Sequence, residues 1–585
     1  MMLQACHSVL AFTDDSPFEY REIYLPESDT DEARELGLNN VNNDWGIWGH
    51  HLAVVLPKGP SPSVFATVGG RMSEDQFCFS SDRLYDYIVD YINDIFGEKQ
   101  TQRFAILPQD NNIVCQCEAC RAIGCTPGNA TPAVQAMLER LAARFPKHIF
   151  FTSHYLTTRS VPDHAMPSNT GVLISAFDYP FCTAATPQEH TFEELLSRWH
   201  DVCPHIYIWD YINNYDDYFT PFPATAAMQR RLQLYARCGV DGIFLNGSGT
   251  DYSTFSRVKT HVLAQLLKDP ELAYQRVFYK VCKELYPVTG ELISDFLLCQ
   301  EDLVWQRERP LPLYEGVAAA RKSYLDEEAF TLFQDSLMKL LPRATGLERK
   351  EVGLACRAML LTRLELKRIH GDTEGCQPML SQLASVVHEG ARIYSESFWS
   401  VESYISDYRA MLDDAKRMEH KNRLRGVPLT ALTGLDDEYR DLSILTDGLA
   451  GLPSNYHCGQ LLSSADPWLR LAIPNNGLRH LRVGLTSNVQ FHIAPPLRVT
   501  LSEGDREIGS VVPQAQTGVA QRTTVDFDIP ANATGTLILT LVRNKEERTM
   551  AIDEVYGWGK PPPDLPEGRS DHGSLGPTGR LTLHE

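Results

Sequence analysis

Short apolar runs rich in β-branched and aromatic residues alternate with amphipathic stretches from about residue 18 to residue 285. The amphipathic stretches repeat apolar positions at helical spacing, and capping residues such as Ser81 and Thr191 precede two of them. A strand followed by a helix, at intervals of roughly 25 to 45 residues, is typical of a parallel sheet. The predicted strands are Glu19–Tyr24, Leu52–Leu56, Phe104–Leu107, Ile149–Ser153, Val172–Phe177, Ile206–Trp209 and Gly242–Leu245.

Seven strands in this region predict an α/β fold, specifically a (β/α)8 barrel of the TIM type with one strand not located. The alternative is a doubly wound open sheet. That fold favours a Gly-rich phosphate loop after the first strand, and no such loop follows Glu19–Tyr24. We therefore expect residues 1–285 to form a glycosidase-like barrel.

The pattern changes twice in the remainder of the chain. Residues 286–425 contain amphipathic stretches with almost no strand signal, which predicts a helical domain. Residues 426–560 contain short β-rich runs separated by Pro, Asn and Gly, which predicts a β-sandwich. The tail, residues 561–585, is rich in Pro, Gly and charge and is expected to be disordered.

The overall charge excludes some classes of partner. A net charge of −21 argues against nucleic acid, which is bound mainly through Lys and Arg, and against an anionic membrane surface. No run approaches the roughly 20 apolar residues of a membrane helix. The segment 1–12 lacks a basic start and is a poor secretory signal, so a cytoplasmic location is the default expectation.

Asp110 is the first candidate for chemistry, because it follows the strand Phe104–Leu107. The carboxyl ends of parallel strands are where ligands bind in such folds, although Gln109, Asp110 and Asn111 could instead form a simple polar turn. Closely spaced cysteines follow: Cys115, Cys117, Cys120 and Cys125. They could hold a structural zinc ion, but their compressed spacing favours packed, reduced thiols in a role that is structural in either case.

Other candidates follow or adjoin the predicted strands. Trp209, Asp210 and Tyr211 combine a carboxylate with aromatic rings, which suits a sugar, although they could equally be a turn with core aromatics. Asp178 follows another strand in the same way. The further candidates for substrate contact are Arg21, His50, His51, Gln109, Asn111, His154, Tyr155 and Asn246. A structural ion pair is an equal alternative for Arg21, and the adjacent histidines are improbable as ligands of one metal.

Several of these motifs, in this order, resemble the domain of unknown function 4838 family of glycosidase-like proteins. The resemblance covers roughly residues 18 to 300. The motifs that carry it are Phe18–Glu22, Asn43–Gly46 with His50 and His51, Gln109 and Asp110 with the cysteines, Ile208–Tyr211, Pro221–Pro223, Gly239–Ile243, and Phe255–Leu267 with the following Lys268–Pro270. The C-terminal segment also faintly resembles a discoidin-like, galactose-binding sandwich.

The family resemblance implies a TIM-barrel glycoside hydrolase. Some members are similar to glycoside hydrolase family 163, which contains endo-β-N-acetylglucosaminidases acting on complex N-glycans. Members often carry Glu where this chain has Leu245, which puts its activity in doubt. They are also often exported. The C-terminal resemblance implies a carbohydrate-binding accessory role for residues 426–560.

We therefore expect a hydrolase of oligosaccharide or glycoprotein glycans that needs no cofactor. Glycosidic cleavage uses paired carboxylates, for which we predict Asp110 as acid/base and Asp210 as the second group, with Asp178 in reserve. An N-acetylhexosamine substrate could instead supply its own acetamido nucleophile. A non-catalytic carbohydrate-binding protein on the same scaffold is the alternative, and a metal-dependent barrel hydrolase is disfavoured because no His-x-His motif is present.

Overall fold

A computed structural model describes residues 16–179, 187–418, 422–436, 440–464, 466–514, 519–544 and 549–560. The chain forms two compact units. The first contains the residues up to Lys367 together with Glu374–Glu402, and the second contains Arg368–Thr373 together with the residues from Ser403 onward. The tail that was expected to be disordered, residues 561–585, lies outside the described residues. The predicted domain boundaries stay a prediction.

The first unit contains a parallel sheet of seven strands and a separate two-stranded hairpin. In chain order, the strands of this unit are β1 (Tyr20–Tyr24), β2 (Trp45–Ile47), β3 (Phe65–Val68), β4 (Arg71–Phe77), β5 (Arg103–Ala105), β6 (Ile149–His154), β7 (Thr170–Ser175), β8 (His205–Tyr211) and β9 (Gly242–Asn246). Strands β3 and β4 form the hairpin. The sheet runs β1-β9-β8-β7-β6-β5-β2, and every neighbouring pair is parallel.

One face of this sheet encloses an aromatic interior. Every strand of the sheet contributes to it, through Tyr20, Trp45, Ala105, Phe151, Leu173, Tyr207 and Phe244. The rings of Tyr20 and Trp45, from the two edge strands, lie 6.0 Å apart. Close packing of this kind requires small residues nearby: a Cβ atom added at Gly242 would lie 2.6 Å from the ring of Tyr207.

The sheet is therefore curved, and the barrel prediction is confirmed in part. The α/β class and the parallel order are as expected, but seven strands are present and β1 does not pair with β2 in the part of the chain that the structure describes. One strand prediction is wrong, because Leu52–Val55 forms a 3₁₀ turn, with Leu52 and Val55 buried. The strand of this region is instead the three-residue segment Trp45–Ile47.

Helices follow most strands and then continue without strands to Met418. Through the sheet region they are α1 (Asp31–Glu35), α2 (Val41–Asp44), α3 (Asp82–Ile95), α4 (Glu118–Ile123), α5 (Thr131–Arg144), α6 (Pro187–His200), α7 (Thr225–Arg237) and α8 (Ser256–Lys268). Beyond it they are α9 (Tyr274–Leu285), α10 (Gly290–Arg307), α11 (Gly316–Ser323), α12 (Glu327–Leu340), α13 (Gly346–Ala358), α14 (Leu360–Ile369), α15 (Cys376–Leu383) and α16 (Val401–Met418). No helix among the described residues is long and apolar enough to cross a membrane.

The second unit contains two antiparallel sheets. Its strands are β10 (Thr430–Ala431), β11 (Leu461–Ser463), β12 (Trp468–Ile473), β13 (His480–Asn488), β14 (Arg498–Glu503), β15 (Arg506–Val511), β16 (Ala520–Asp528), β17 (Leu537–Val542) and β18 (Met550–Trp558). Sheet β10-β12-β17-β14-β15 and sheet β11-β18-β13-β16 both contribute buried side chains to one apolar cluster. This arrangement agrees with the short β-rich runs in residues 426–560 of the sequence.

Candidate functional site

A pocket of about 260 Å³ opens at the carboxyl ends of the parallel strands. This is the edge at which barrel and open α/β folds place their ligands. Its walls are two acids, several aromatic rings, and a few smaller groups. The lining residues are His50, Leu107, Asp110, Ser153, Tyr155, Leu173, Ser175, Phe177, Trp209, Tyr211, Asn246, Tyr314 and Glu396. Six of them, namely His50, Asp110, Tyr155, Trp209, Tyr211 and Asn246, were predicted as site residues.

Asp110 lies in the loop after β5, and its side chain is exposed to the pocket. It lies beside Tyr155, whose pKa is raised to about 12 by the loss of water around it and by the charge and hydrogen bonding of Asp110. No cation pairs with Asp110 among the described residues. Asp110 is therefore an acid at the pocket with a phenol beside it.

The loop that carries Asp110 is held by Gln76, a buried side chain at the end of the hairpin strand β4. The Gln76 amide oxygen accepts a hydrogen bond from the Gln109 backbone N–H at 3.0 Å, and its nitrogen donates to the Gln109 carbonyl at 3.2 Å. The same nitrogen donates to the Asn111 side chain at 3.1 Å. Gln109 and Asn111 thus flank Asp110 but do not line the pocket themselves.

Glu396 is the second acid of the pocket, and no motif in the sequence pointed to it. It lies on a loop after α15, where its backbone N–H donates to the Tyr215 carbonyl at 2.8 Å. Enclosure by protein raises the pKa of Glu396 above its ordinary value, and the charges of Asp216 and Asp110 raise it further. A hydrogen bond from the Tyr314 hydroxyl, 3.3 Å long, acts in the opposite direction. The protonated form of Glu396 is thus more favoured than that of an exposed glutamate.

Aromatic rings form much of the remaining wall. The Trp209 ring stacks on Trp48 at 5.0 Å with an interplanar angle of 9°. Phe177 meets the rings of Tyr211 at 5.5 Å and Tyr314 at 6.2 Å. Flat apolar faces beside carboxyl and hydroxyl groups match a sugar ring, which has an apolar face and a polar rim.

Asp210 does not line this pocket. Successive side chains of a strand point to opposite faces, and Tyr207, Trp209 and Tyr211 of β8 point to the interior and the pocket. Asp210 therefore points outward. It is fully buried there, where it pairs with Arg231 and accepts a 2.6 Å hydrogen bond from the Tyr235 hydroxyl.

The same alternation bears on Leu245. Its neighbours in β9, Phe244 and Asn246, belong to the interior cluster and to the pocket wall, so Leu245 points to the outer face. Leu245 is paired in register with Asp210, which shares that face. The absence of a carboxylate at position 245 therefore removes no group from the pocket described here.

The remaining predicted residues lie outside the pocket lining. Arg21 donates to the Gly37 carbonyl at 3.2 Å, and Asp178 is an exposed partner of Arg159. His154 accepts a 3.3 Å hydrogen bond from Trp199, and burial lowers its pKa to about 4. His51 is exposed.

Of the predicted histidines, His50 is the one that lines the pocket. Its Nδ1 lies 2.6 Å from the Pro108 carbonyl oxygen, and its ring centre is 6.0 Å from that of Tyr155. The contact with Pro108 fixes the imidazole beside the loop of Asp110, which leaves Nε2 as the other nitrogen of the ring for a ligand. The predicted contact between His50 and a substrate stays a prediction.

Residues 7–297 match the family model described as Domain of unknown function (DUF4838). The chain belongs to this family. The resemblance drawn from the sequence motifs is therefore confirmed, while the description of the DUF4838 family states no activity. A comparison with curated proteins gives no match.

Three solved structures that are similar to parts of this DUF4838 chain are distant from it. A Streptococcus pneumoniae fucose binding module is 17% identical, with a TM-score of 0.17, and covers 24% of this chain and 95% of its own. CBM32-1 from a Clostridium perfringens family 31 glycoside hydrolase is 14% identical, with a TM-score of 0.16, over 23% and 98%. A GH138 enzyme targeting pectin rhamnogalacturonan II is 7% identical, with a TM-score of 0.28, over 56% and 70%. At these TM-scores the matches carry no argument about function.

Proposed function

We propose that the protein is a glycoside hydrolase acting on a glycan, with Asp110 and Glu396 as its two carboxyl groups. The observation that carries this proposal is that both acids line one pocket together with several aromatic rings. Paired carboxyl groups are what most glycosidases use to cleave a glycosidic bond. The volume of about 260 Å³ is close to the lower end of small-molecule sites, roughly 300–1,000 Å³.

Glu396 is the general acid in this proposal. Its environment raises its pKa, so the carboxyl group keeps a proton to higher pH than an exposed glutamate. That proton passes to the glycosidic oxygen as its bond to the anomeric carbon breaks, and the leaving sugar departs as an alcohol. Glu396 thus takes the acid role that was predicted for Asp110. Asp110 in turn takes the role of the second carboxyl group that was predicted for Asp210, which does not line the pocket.

Asp110 acts at the anomeric carbon. As a carboxylate it stabilises the positive charge that develops there, and it either attacks that carbon or takes a proton from the attacking water. Water supplies the hydroxyl group of the product in both cases. With an N-acetylhexosamine substrate, the acetamido oxygen is the nucleophile and Asp110 orients that group, which is the narrower endo-β-N-acetylglucosaminidase reaction.

The direct test uses a panel of complex glycans, with product mass analysis and detection of new reducing ends. Asp110→Asn and Glu396→Gln are each expected to lower kcat by about 10²- to 10⁴-fold, the range for loss of acid–base catalysis. The matched controls are Asp178→Asn and Glu402→Gln, exposed carboxylates that do not line the pocket. Both controls are expected to retain wild-type turnover and folding.

Two results would count against the proposal. Near wild-type turnover in either pocket variant would remove that residue from the mechanism. Binding of a glycan by the wild-type protein in calorimetry, without cleavage of any glycan in the panel, would favour the non-catalytic carbohydrate-binding alternative.

A further inference from the structure

Four cysteine thiols from separate stretches of the chain meet beside the loop of Asp110. Cys78 directly follows the hairpin strand β4, Cys115 and Cys117 precede α4, and Cys120 lies in α4. Their four Sγ atoms all lie within 4.8 Å of one another. The Cys78 Sγ is 3.7 Å from that of Cys117 and 3.8 Å from that of Cys120.

These distances match a metal site better than a disulfide. Sulfur atoms in a disulfide are about 2.05 Å apart, and all four of these thiols are free. Zinc binds thiolates at about 2.3 Å with tetrahedral geometry, which places neighbouring sulfur atoms about 3.8 Å apart. The cluster therefore has nearly the dimensions that a four-thiolate zinc site requires.

The surroundings also suit thiolates rather than thiols. The Thr67 backbone N–H donates to the Cys115 Sγ at 3.3 Å, and the Cys120 N–H donates to the Cys117 Sγ at 3.4 Å. The Ser80 hydroxyl oxygen lies 3.1 Å from the Cys120 Sγ. Hydrogen bonds of this kind disperse the negative charge of metal-bound sulfur and orient the ligands.

Cys125 is not a member of this cluster. Its thiol lies 3.8 Å from the Ala130 carbonyl oxygen, to which it donates, and the fourth sulfur of the cluster comes from Cys78 instead. The ligand set therefore differs from the one considered in the sequence. Residue 78 lies far from the other three along the chain and shares no motif with them, so the sequence spacing alone could not reveal it.

We propose that Cys78, Cys115, Cys117 and Cys120 bind a structural Zn²⁺ ion. Four protein ligands leave no open position on a tetrahedral ion, so this site stabilises structure and does no chemistry. A tetrahedral set of four sulfurs suits zinc or iron. The proposal commits to zinc, and iron is an outcome that the test can detect.

The position of the site gives it a role in the architecture of the pocket. Cys78 lies two residues after Gln76, the side chain that holds the Asp110 loop, and Cys115 lies five residues after Asp110. A zinc ion would join the hairpin, which holds the Asp110 loop through Gln76, to the segment that follows the loop. The inference itself does not depend on the proposed hydrolase activity, because metal content is measured independently.

The test measures metal in the full-length protein, expressed with zinc in the medium and purified under reducing conditions. Mass spectrometry of the metal is expected to give close to one zinc per chain for the wild type. Cys78→Ser and Cys117→Ser are expected to lose most of it. Cys125→Ser and Cys203→Ser, buried thiols outside the cluster, are the matched controls and are expected to keep it.

A second measurement uses only the wild-type protein, in case a ligand variant does not fold. Cobalt incorporated in place of zinc is expected to give the intense visible bands of tetrahedral cobalt with thiolate ligands. Substoichiometric zinc in the wild type, iron in its place, the weak bands of octahedral cobalt, or equal zinc loss in Cys125→Ser and Cys78→Ser would each overturn the proposal.

Discussion

Asp210 and Glu396 are two carboxyl groups of the same compact unit in opposite environments. Asp210 is closed off from solvent behind the sheet, where Arg231 and Tyr235 satisfy its oxygens. Glu396 is open to the pocket, with one hydrogen bond from Tyr314 and no paired cation among the described residues. The first arrangement occupies the carboxylate with protein partners, and the second leaves the carboxyl group accessible to a ligand.

An acid at a reacting centre is expected to have an environment like that of Glu396 and unlike that of Asp210. A buried, fully paired carboxylate has no capacity left for a substrate, and its removal takes a balancing charge away from a buried cation. An acid whose pKa is raised by its surroundings and which faces a pocket is a candidate for chemistry. Variants of the two acids should therefore differ: we expect a loss of stability for Asp210 and a loss of activity for Glu396.

Asp210→Asn is expected to have the largest effect on stability. Removal of one partner from a buried ion pair typically costs about 3–5 kcal/mol, because the buried Arg231 loses the carboxylate that balances its charge. Urea unfolding followed by fluorescence measures this change. A double variant, Asp210→Leu with Arg231→Leu, is expected to lose less than Asp210→Asn, since it removes both charges of the pair. Full stability of Asp210→Asn with a loss of turnover would return Asp210 to the catalytic role.

Alternation of side chains along a strand explains why Asp210 lies away from the pocket, although the sequence analysis selected it. The pattern correctly located β8 and the aromatic residues Trp209 and Tyr211, because strand propensity and burial are local properties. Trp209 and Asp210 were then treated as neighbours in one pocket, although adjacent strand residues point to opposite faces. Asp110 was easier to identify, because it lies in the loop beyond its strand, where that alternation does not apply.

Other parts of the fold and site depended on distant contacts. Glu396 and Tyr314 belong to the helical part of the sequence and approach the pocket only after folding. Strand β2 is three residues long and contains Gly46, so its strand signal is weaker than that of Leu52–Leu56, which forms a turn. A single sequence contains no information on such long-range pairing beyond its local patterns.

Gln76→Leu is expected to have an intermediate effect. The variant removes the hydrogen bonds that hold Gln109 and Asn111, and unpaired buried backbone groups cost about 1–3 kcal/mol. Since the loop carries Asp110, we also expect a fall in kcat that exceeds any change in KM. Gln135→Leu, another buried glutamine, whose amide nitrogen donates to Glu139, is the control and is expected to leave kcat unchanged. Equal effects on kcat in the two variants would show that Gln76 supports the fold and does not position Asp110.

Tyr314→Phe is expected to change the pH profile more than the rate. The Tyr314 hydroxyl donates to Glu396 and lowers its pKa, so its removal should raise that pKa. If Glu396 is the general acid, activity is lost as pH rises through its pKa, and the alkaline limb of kcat/KM moves to higher pH. Asp216→Asn removes a charge that raises the same pKa and should move the limb to lower pH. An alkaline limb that does not move in either variant would show that another group sets it.

Asp178→Asn is expected to have the smallest effect on both stability and turnover. Asp178 was a reserve candidate for catalysis, but it forms an exposed ion pair with Arg159 and does not line the pocket. Exposed pairs contribute about 0–1 kcal/mol, since water screens the attraction and side-chain entropy opposes it. We therefore expect unfolding and turnover close to wild type. A large loss of turnover with stability preserved would mean that the reacting centre extends beyond the pocket walls, and that openness to the pocket is a poor guide to which acid reacts.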